Sequence, residues 1–324
     1  MKLRPDRVLG TLLGMSIGDA LGMPVEGWPR ETVIERYGTI DAFHGRSFDD
    51  GAKLGAGEFT DESEGVLCIV ESYTANTGDL DLENIRARLA ILARGESRRW
   101  MNPSTRARLD DEPGPGFPDG GNAAVTGDVA CRGIPLGLIS AGWPARDESM
   151  MKQQAELLAG LTHHAPGAAE CIELVAEMIR VIALQEITLS EVPAHVVGLY
   201  PDSGVAVLLG RTSLINQDLP DFEAQIGKIG YGDGADQVVA TAIVAAANAE
   251  RFEDAVFVAA SQGGASDARA AIAGALAGAA FGTAGIPQSL IDGLEGRVYV
   301  MLAAPWFYQT IQLRNAFEQQ APQG

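Results

Sequence analysis

One stretch of this chain constrains its fold more than any other. Gln262-Gly-Gly-Ala-Ser-Asp-Ala-Arg269 runs into Ala270-Ala-Ile-Ala-Gly-Ala-Leu-Ala-Gly-Ala-Ala-Phe-Gly282. Most side chains after position 269 are no larger than a methyl group, and β-branched bulk is nearly absent. Such a run forms helix readily and lets a neighbouring backbone come close. A second small face lies near the start of the chain, where Gly14, Gly18 and Gly22 recur every four residues. That spacing puts them on one side of a helix. Asp267 stands at the start of the late helix, placed to face a cation or a polar substrate. Positions 265 and 268 could have carried oxygen ligands beside it, yet both are alanine.

Helical periodicity extends through most of the chain. Leu9, Leu12, Leu13, Ile17 and Leu21 follow a 3.6-residue period over 8–21. The same pattern predicts helices over 64–73, 170–184, 237–249, 252–260 and 268–281. Alternating runs are scarce, and Val205-Ala-Val-Leu-Leu is the best strand candidate. The expectation is an all-α fold, one domain over 1–324, with helices packed closely at Ala and Gly. Three segments break the pattern with Gly and Pro: 44–59, 102–128 and 200–235. A loop as long as 102–128 inside a helical domain points to function.

The formal net charge is −19, which leaves no basic stripe for nucleic acid. Cys68, Cys131 and Cys171 are too widely spaced for a Cys-x-x-Cys pattern, so buried thiols are expected. The start lacks the apolar core of a signal peptide, and no apolar run reads as long and clean enough to span a bilayer. A cytoplasmic protein without membrane or nucleic-acid partners is expected.

Four short constellations could carry chemistry. Thr60-Asp-Glu-Ser63 precedes an apolar helix; Thr60 is the expected N-cap, and the hydroxyl with its two acids suits a hard cation such as Mg²⁺ or Mn²⁺. Gly263-Gly-Ala-Ser-Asp267 opens the late helix. Gly14-Met-Ser-Ile-Gly-Asp-Ala-Leu-Gly-Met-Pro-Val-Glu-Gly27 ends on Glu26, an acid just past a proline. Thr162-His-His-Ala-Pro166 holds a histidine pair whose adjacent side chains diverge, although one could line a pocket.

In this order, over roughly 6–285, these pieces resemble the ADP-ribosylglycohydrolase family. Gly18-Asp-Ala-Leu-Gly22 with Glu26, Thr60-Asp61-Glu62, Gly121-Asn122 with Ile134-Pro-Leu-Gly-Leu138, Thr162-His163, and Gly263-Gly264 with Ser266-Asp267 carry the resemblance. It implies a compact all-helical fold and a cleft holding divalent cations that orient ribose hydroxyls. By that resemblance Thr60, Asp61, Glu62 and Asp267 are metal ligands, with Glu62 in place of an aspartate. Ala265 and Ala268 stand where two further ligands would be, which leaves at most one well-held Mg²⁺ or Mn²⁺. Glu26, Asp61, Glu62 and Asp267 are the expected catalytic set. Gly121, Asn122, His163 and Asp233 are the expected substrate-binding residues. The segment 121–128 departs from the family's compact loop and suggests a substrate smaller than an ADP-ribosylated protein.

The function expected is hydrolysis of a C1 ribosyl bond, N- or O-linked, in an ADP-ribose-like or nucleoside-like small molecule. Two alternatives use the same fold: a catalytically inactive binding or structural protein, and a metal-independent ribosyl glycosidase.

Overall fold

The computed structural model describes residues 2–109, 125–143, 147–212 and 222–320. Sixteen α-helices follow one another in those residues. They are α1 (Pro5–Gly22), α2 (Arg30–Tyr37), α3 (Asp61–Ala75), α4 (Leu82–Arg94), α5 (Pro103–Leu109), α6 (Gly133–Ser140), α7 (Glu148–Gly160) and α8 (Pro166–Ala183). The second half adds α9 (Val192–Leu199), α10 (Gly204–Leu209), α11 (Phe222–Ile229), α12 (Ala235–Ala247), α13 (Phe252–Ala260), α14 (Ser266–Phe281), α15 (Gln288–Gly293) and α16 (Arg297–Gln320). Among the described residues the only sheet is a two-residue hairpin, β1 (Arg46–Ser47) against β2 (Lys53–Leu54).

The two small-residue faces are each other's partner. Gly10, Gly14, Gly18 and Gly22 of α1 face Gly278, Gly274, Ala270 and Ser266 of α14. A Cβ at those four α1 positions would stand 1.9–2.5 Å from the facing carbonyl oxygens. Any side chain there would therefore push the helices apart. Each step of four forward on α1 is a step of four back on α14, so the pair is antiparallel. That register delivers the C-terminal end of α1 to the N-terminal end of α14, where the Ser266 hydroxyl donates to the Gly22 carbonyl at 2.8 Å. The acids of the two motifs meet for this reason.

By length and composition α1, extended through Val25, could cross a membrane, contrary to the expectation that no run could. Its burial gives the reason for its composition: 94% of the apolar window is enclosed by other helices. A core helix covered on all sides has no need of a polar face. The Val205–Leu209 run is also corrected. It is helix α10, started by Ser203, whose hydroxyl oxygen accepts from the Ala206 amide at 3.0 Å. Five residues are too few to reveal a period, and the capping serine decides the outcome.

Around the central pair, α6 crosses α8 at Gly133 and Gly137, where a Cβ would stand 2.4 and 2.5 Å from the Ile172 and Ala176 carbonyls. The turn before α6 is tied to the turn before α12. The Gly127 amide donates to the Asp233 carbonyl at 3.1 Å, and the Ala235 amide donates to the Val125 carbonyl at 2.9 Å.

Candidate active site

Thr60 occupies the N-cap position of α3, but its side chain makes no cap hydrogen bond, contrary to the sequence expectation. The cap comes from α1. The carboxylate of Asp19 accepts from the Thr60 amide (2.9 Å) and hydroxyl (2.7 Å), and from the Ser63 amide (3.1 Å) and hydroxyl (2.7 Å). Asp19 is wholly buried, and burial pushes its carboxyl up against the pull of these four bonds. The start of α3 is thereby fixed to α1, and Asp61 and Glu62 in the first turn are fixed with it. Glu62 Oε2 also accepts from the Thr60 hydroxyl at 3.1 Å.

Glu26 lies one residue past the turn that ends α1. The next residue, Gly27, has φ +74° and donates its amide to the Gly264 carbonyl at 2.9 Å, while the Gly264 amide donates to the Trp28 carbonyl at 2.9 Å. Gly263 and Gly264 have φ +67° and +59°, and a Cβ on Gly264 would stand 2.6 Å from the Tyr231 carbonyl oxygen. Only glycine meets both demands. Arg46, on β1, donates to the Glu26 carbonyl at 2.7 Å. Its guanidinium sits 5.4 Å from the ring of Trp28 and 4.5 Å from that of Phe48. These contacts hold the Glu26 loop against the 263–265 turn.

Between these segments is a cleft of about 100 Å³. Glu26, Glu62, Asp128, Asp233 and Asp267 line it, with Asn102 and Trp100. No lysine or arginine is among the described lining residues. The electrostatic consequence is strong. Burial, with Asp128, Asp19 and Glu26 nearby, holds Asp61 well above the usual carboxylate range. Burial and Asp267 do the same to Glu62, and burial and Glu26 do so to Asp267. The Glu26 carboxyl is pushed up to about 7 by burial; Arg46 opposes this, and Asp19, Asp233 and Asp128 add to it.

The cations nearby are structural. Arg269 is fully buried beneath the turn, donating to the Gly263 carbonyl at 2.6 Å and, more weakly, to that of Gly232 at 3.4 Å. It packs; it does not pair at the surface. Burial lowers it to about 10, so it keeps its charge near neutral pH under Asp267 and Asp233.

His163 lies behind the cleft wall. It is 1% exposed and is not one of the lining residues. Arg132 donates to the Thr162 hydroxyl at 2.6 Å, and that hydroxyl is 2.8 Å from His163 Nδ1. His163 Nε2 is 3.3 Å from the Thr126 hydroxyl, which in turn donates to Asp128. Burial pushes His163 down to about 4, so it is neutral near pH 7. The network assigns the proton to Nε2, giving one directed chain from Arg132 to Asp128. Thr105 holds the other Asp128 oxygen at 2.6 Å.

The structure thus brings Glu26, Glu62, Asp233 and Asp267 to one cleft, with Thr60 and Asp61 at the helix start beside it. Asp233 accepts from the Ala265 amide at 3.0 Å. His163 is not in the cleft lining and reaches it only through the Thr126 hydroxyl. Gly121 and Asn122 lie outside the described residues. Asp128 and Arg46 have no motif to announce them, because each gains its place from tertiary contacts. Asp19 was visible inside Gly18-Asp-Ala-Leu-Gly22, and an acid on an otherwise small, apolar helix face was the available signal.

The donors Thr60, Asp61, Glu62 and Asp267 are hard oxygens, and a set of crowded carboxyls without a lining cation is chemistry that suits one divalent ion. Their present partners are protein groups: Glu62 meets Thr60, and Asp267 accepts from the Ala268 amide at 2.8 Å. Among the described residues no three His, Cys, Asp or Glu side chains form a ready-made cage. Ala265 and Ala268 put methyl groups on the cleft wall.

A sequence profile of the ADP-ribosylglycohydrolase family matches residues 1–320. The chain is 31% identical over 302 residues to an uncharacterized protein of Archaeoglobus fulgidus, spanning 92% of this chain and 94% of that one. It is 26% identical over 305 residues to the ADP-ribosyl-dinitrogen reductase glycohydrolase of Rhodospirillum rubrum, spanning 90% and 92%. It is 28% identical over 301 residues to the ADP-ribosylarginine hydrolase Tri1 of Pseudomonas putida, spanning 89% and 74%. A solved structure described as an ADP-ribosylglycohydrolase-related protein complex is similar with a TM-score of 0.71 at 25% identity, covering 96% of this chain and all of that one. Sequence from end to end and helical architecture agree, and the chain belongs to the ADP-ribosylglycohydrolase family of hydrolases.

Proposed function

We propose that this protein hydrolyses a C1 ribosyl bond, N- or O-linked, in an ADP-ribose-like or nucleoside-like small molecule. The observation that carries the reading is Glu26. Its carboxyl, pushed up to about 7, stands on a cleft whose other acids are Asp128, Asp233, Asp267 and Glu62. An acid poised near neutral pH can protonate a leaving group, and a cleft lined by carboxyl oxygens favours the cation-like sugar that forms as the bond breaks. Relatives named for action on ADP-ribosylated dinitrogenase reductase and on ADP-ribosylarginine support the bond class.

Each part of the chain then has a task. Glu26 donates the proton to the departing group, with its loop held by Arg46 and Gly264. Asp267 and Glu62 face the sugar, and Asp128 and Asp233 take its hydroxyls. The cleft is far below the ~300 Å³ of a drug-sized pocket, which favours a small inserted group such as a ribose. Thr60, Asp61, Glu62 and Asp267 would hold one Mg²⁺ or Mn²⁺, which supplies Lewis acidity and a firmly oriented water when bound.

The test is release of ADP-ribose or ribose from a panel of ribosylated arginine, O-acyl ADP-ribose and nucleosides, with and without EDTA. Turnover lost in Glu26→Gln and reduced in Asp267→Asn supports the assignment. Turnover unchanged in both would end it. A second reading, ligand binding without hydrolysis, is favoured by the methyl groups of Ala265 and Ala268. Calorimetric binding of ADP-ribose by a protein that turns over no panel member selects that reading. Activity insensitive to EDTA selects a metal-independent glycosidase.

A further inference from the structure

Helix α16 is apolar on both sides. Its inner face, Val300, Ala304, Phe307 and Ile311, is buried in the core. Its outer face carries Val298, Met301, Leu302, Trp306 and Leu313, which are 46–64% exposed. These five fall at spacings of three, one, four and seven residues, on one side of the helix, with the exposed Gln309 among them. A helix apolar all round is ordinarily buried all round. The stripe continues onto Tyr299 and Ile91, at the edge of a surface groove of about 410 Å³ that contains Leu67 and Leu92 together with Glu64 and the Glu71–Arg88 ion pair. Seven large apolar side chains at this exposure present on the order of 700 Å². That exceeds the ~300–600 Å² patch of an ordinary monomer and approaches the ~800 Å² each partner contributes to a stable interface.

Charge decides what covers it. The chain holds 43 acidic residues, yet from Arg297 to Ala316 there is no carboxylate, only Arg297 and Arg314. Arg314 is already paired with Asp79 at 3.0 Å. Two copies of a chain with net charge −19 repel each other over most of their surface. The outer face of α16 is where they can meet without bringing carboxylates together. We infer that this outer face of α16 is an isologous interface with a second copy of the chain. The two α16 helices pack across a two-fold axis, each stripe covering the other, as a self-complementary patch must.

Sedimentation velocity of the full chain at micromolar concentration tests this. The expected result is a dimer for the wild type and a monomer for Leu302→Glu and Trp306→Glu. The control Val207→Glu, at another exposed apolar site on α10, should remain dimeric. Unchanged far-UV circular dichroism shows that the variants fold; Leu302→Ser serves if the charged form does not. A monomeric wild type, or a dimer that survives both α16 substitutions, overturns the proposal. So does a monomer that binds phosphatidylglycerol vesicles through Trp306, because the face would then serve a lipid surface.

Discussion

Asp19 on α1 caps α3 across space, its carboxylate accepting both the amide and the hydroxyl of Thr60 and the same two groups of Ser63. One buried acid therefore sets where the helix bearing Asp61 and Glu62 begins. Asp19→Ala removes the acceptor and strands two amides and two hydroxyls. The expected cost is ~3 kcal/mol or more, since each buried donor left unpaired costs ~1–3 kcal/mol. Urea unfolding measures it, and a loss below ~1 kcal/mol would show that water replaces the cap.

Gly18 stands closest to the partner helix, with a built Cβ only 1.9 Å from the Ala270 carbonyl oxygen. Gly18→Ala must separate α1 from α14. Overpacking of this kind costs ~1–3 kcal/mol, and a contact with rigid backbone belongs at the top of that range. Because Glu26 and Asp267 sit at the end of the same seam, turnover should fall further than stability alone explains. A variant with wild-type melting and wild-type kcat would show that the seam yields without moving the cleft.

Much of the helical architecture was legible in the sequence. The 252–260 helix has the predicted bounds, and the small faces at 14–22 and 270–282 signal close approach. Their pairing with each other was not legible, because each face only demands some near neighbour. The antiparallel register that joins Gly18 to Ala270 exists only in three dimensions. The same limit applies to the site. Glu26, Glu62 and Asp267 belong to short motifs, whereas Asp128 is placed by Thr105, Thr126 and the tie between Gly127 and Asp233. Arg269 is placed in the same way, by the carbonyls of Gly263 and Gly232.

The raised carboxyls fix the sign of the pH dependence. Glu26 goes from 4.5 to about 7 in the folded protein, and Asp61, Glu62 and Asp267 are shifted the same way. Between those values the folded state holds more protons than the unfolded one, so stability falls as pH rises. The contribution of Glu26 is fully present below about 4.5 and is lost as the solution passes about 7. Melting temperature should therefore decline across that window, against the usual acid lability of carboxylate pairs elsewhere. Glu26→Gln should flatten the decline near 7. In the activity profile, an acid role for Glu26 gives a limb that falls through about 7. A limb that rises there would make Glu26 the base.

Ala265 is the N-cap of α14, has no side-chain cap bond, and lines the cleft beside Asp267. Ala265→Asp should act in two opposed ways. As a cap it gains up to ~1 kcal/mol from the α14 amides and dipole. As a carboxylate between Asp233 and Asp267 it adds repulsion, so the variant should melt lower than the wild type at alkaline pH without added metal. A divalent ion removes that repulsion and gains an oxygen ligand. Mn²⁺ should then bind the variant at least tenfold tighter, which is ~1.4 kcal/mol, and raise its melting temperature by more than it raises that of the wild type. Isothermal titration at fixed pH gives the affinity directly. Equal affinities in the two proteins would mean that position 265 does not reach the ion, and the donor set would have to be sought among Thr60, Asp61 and Glu62 without help from the turn.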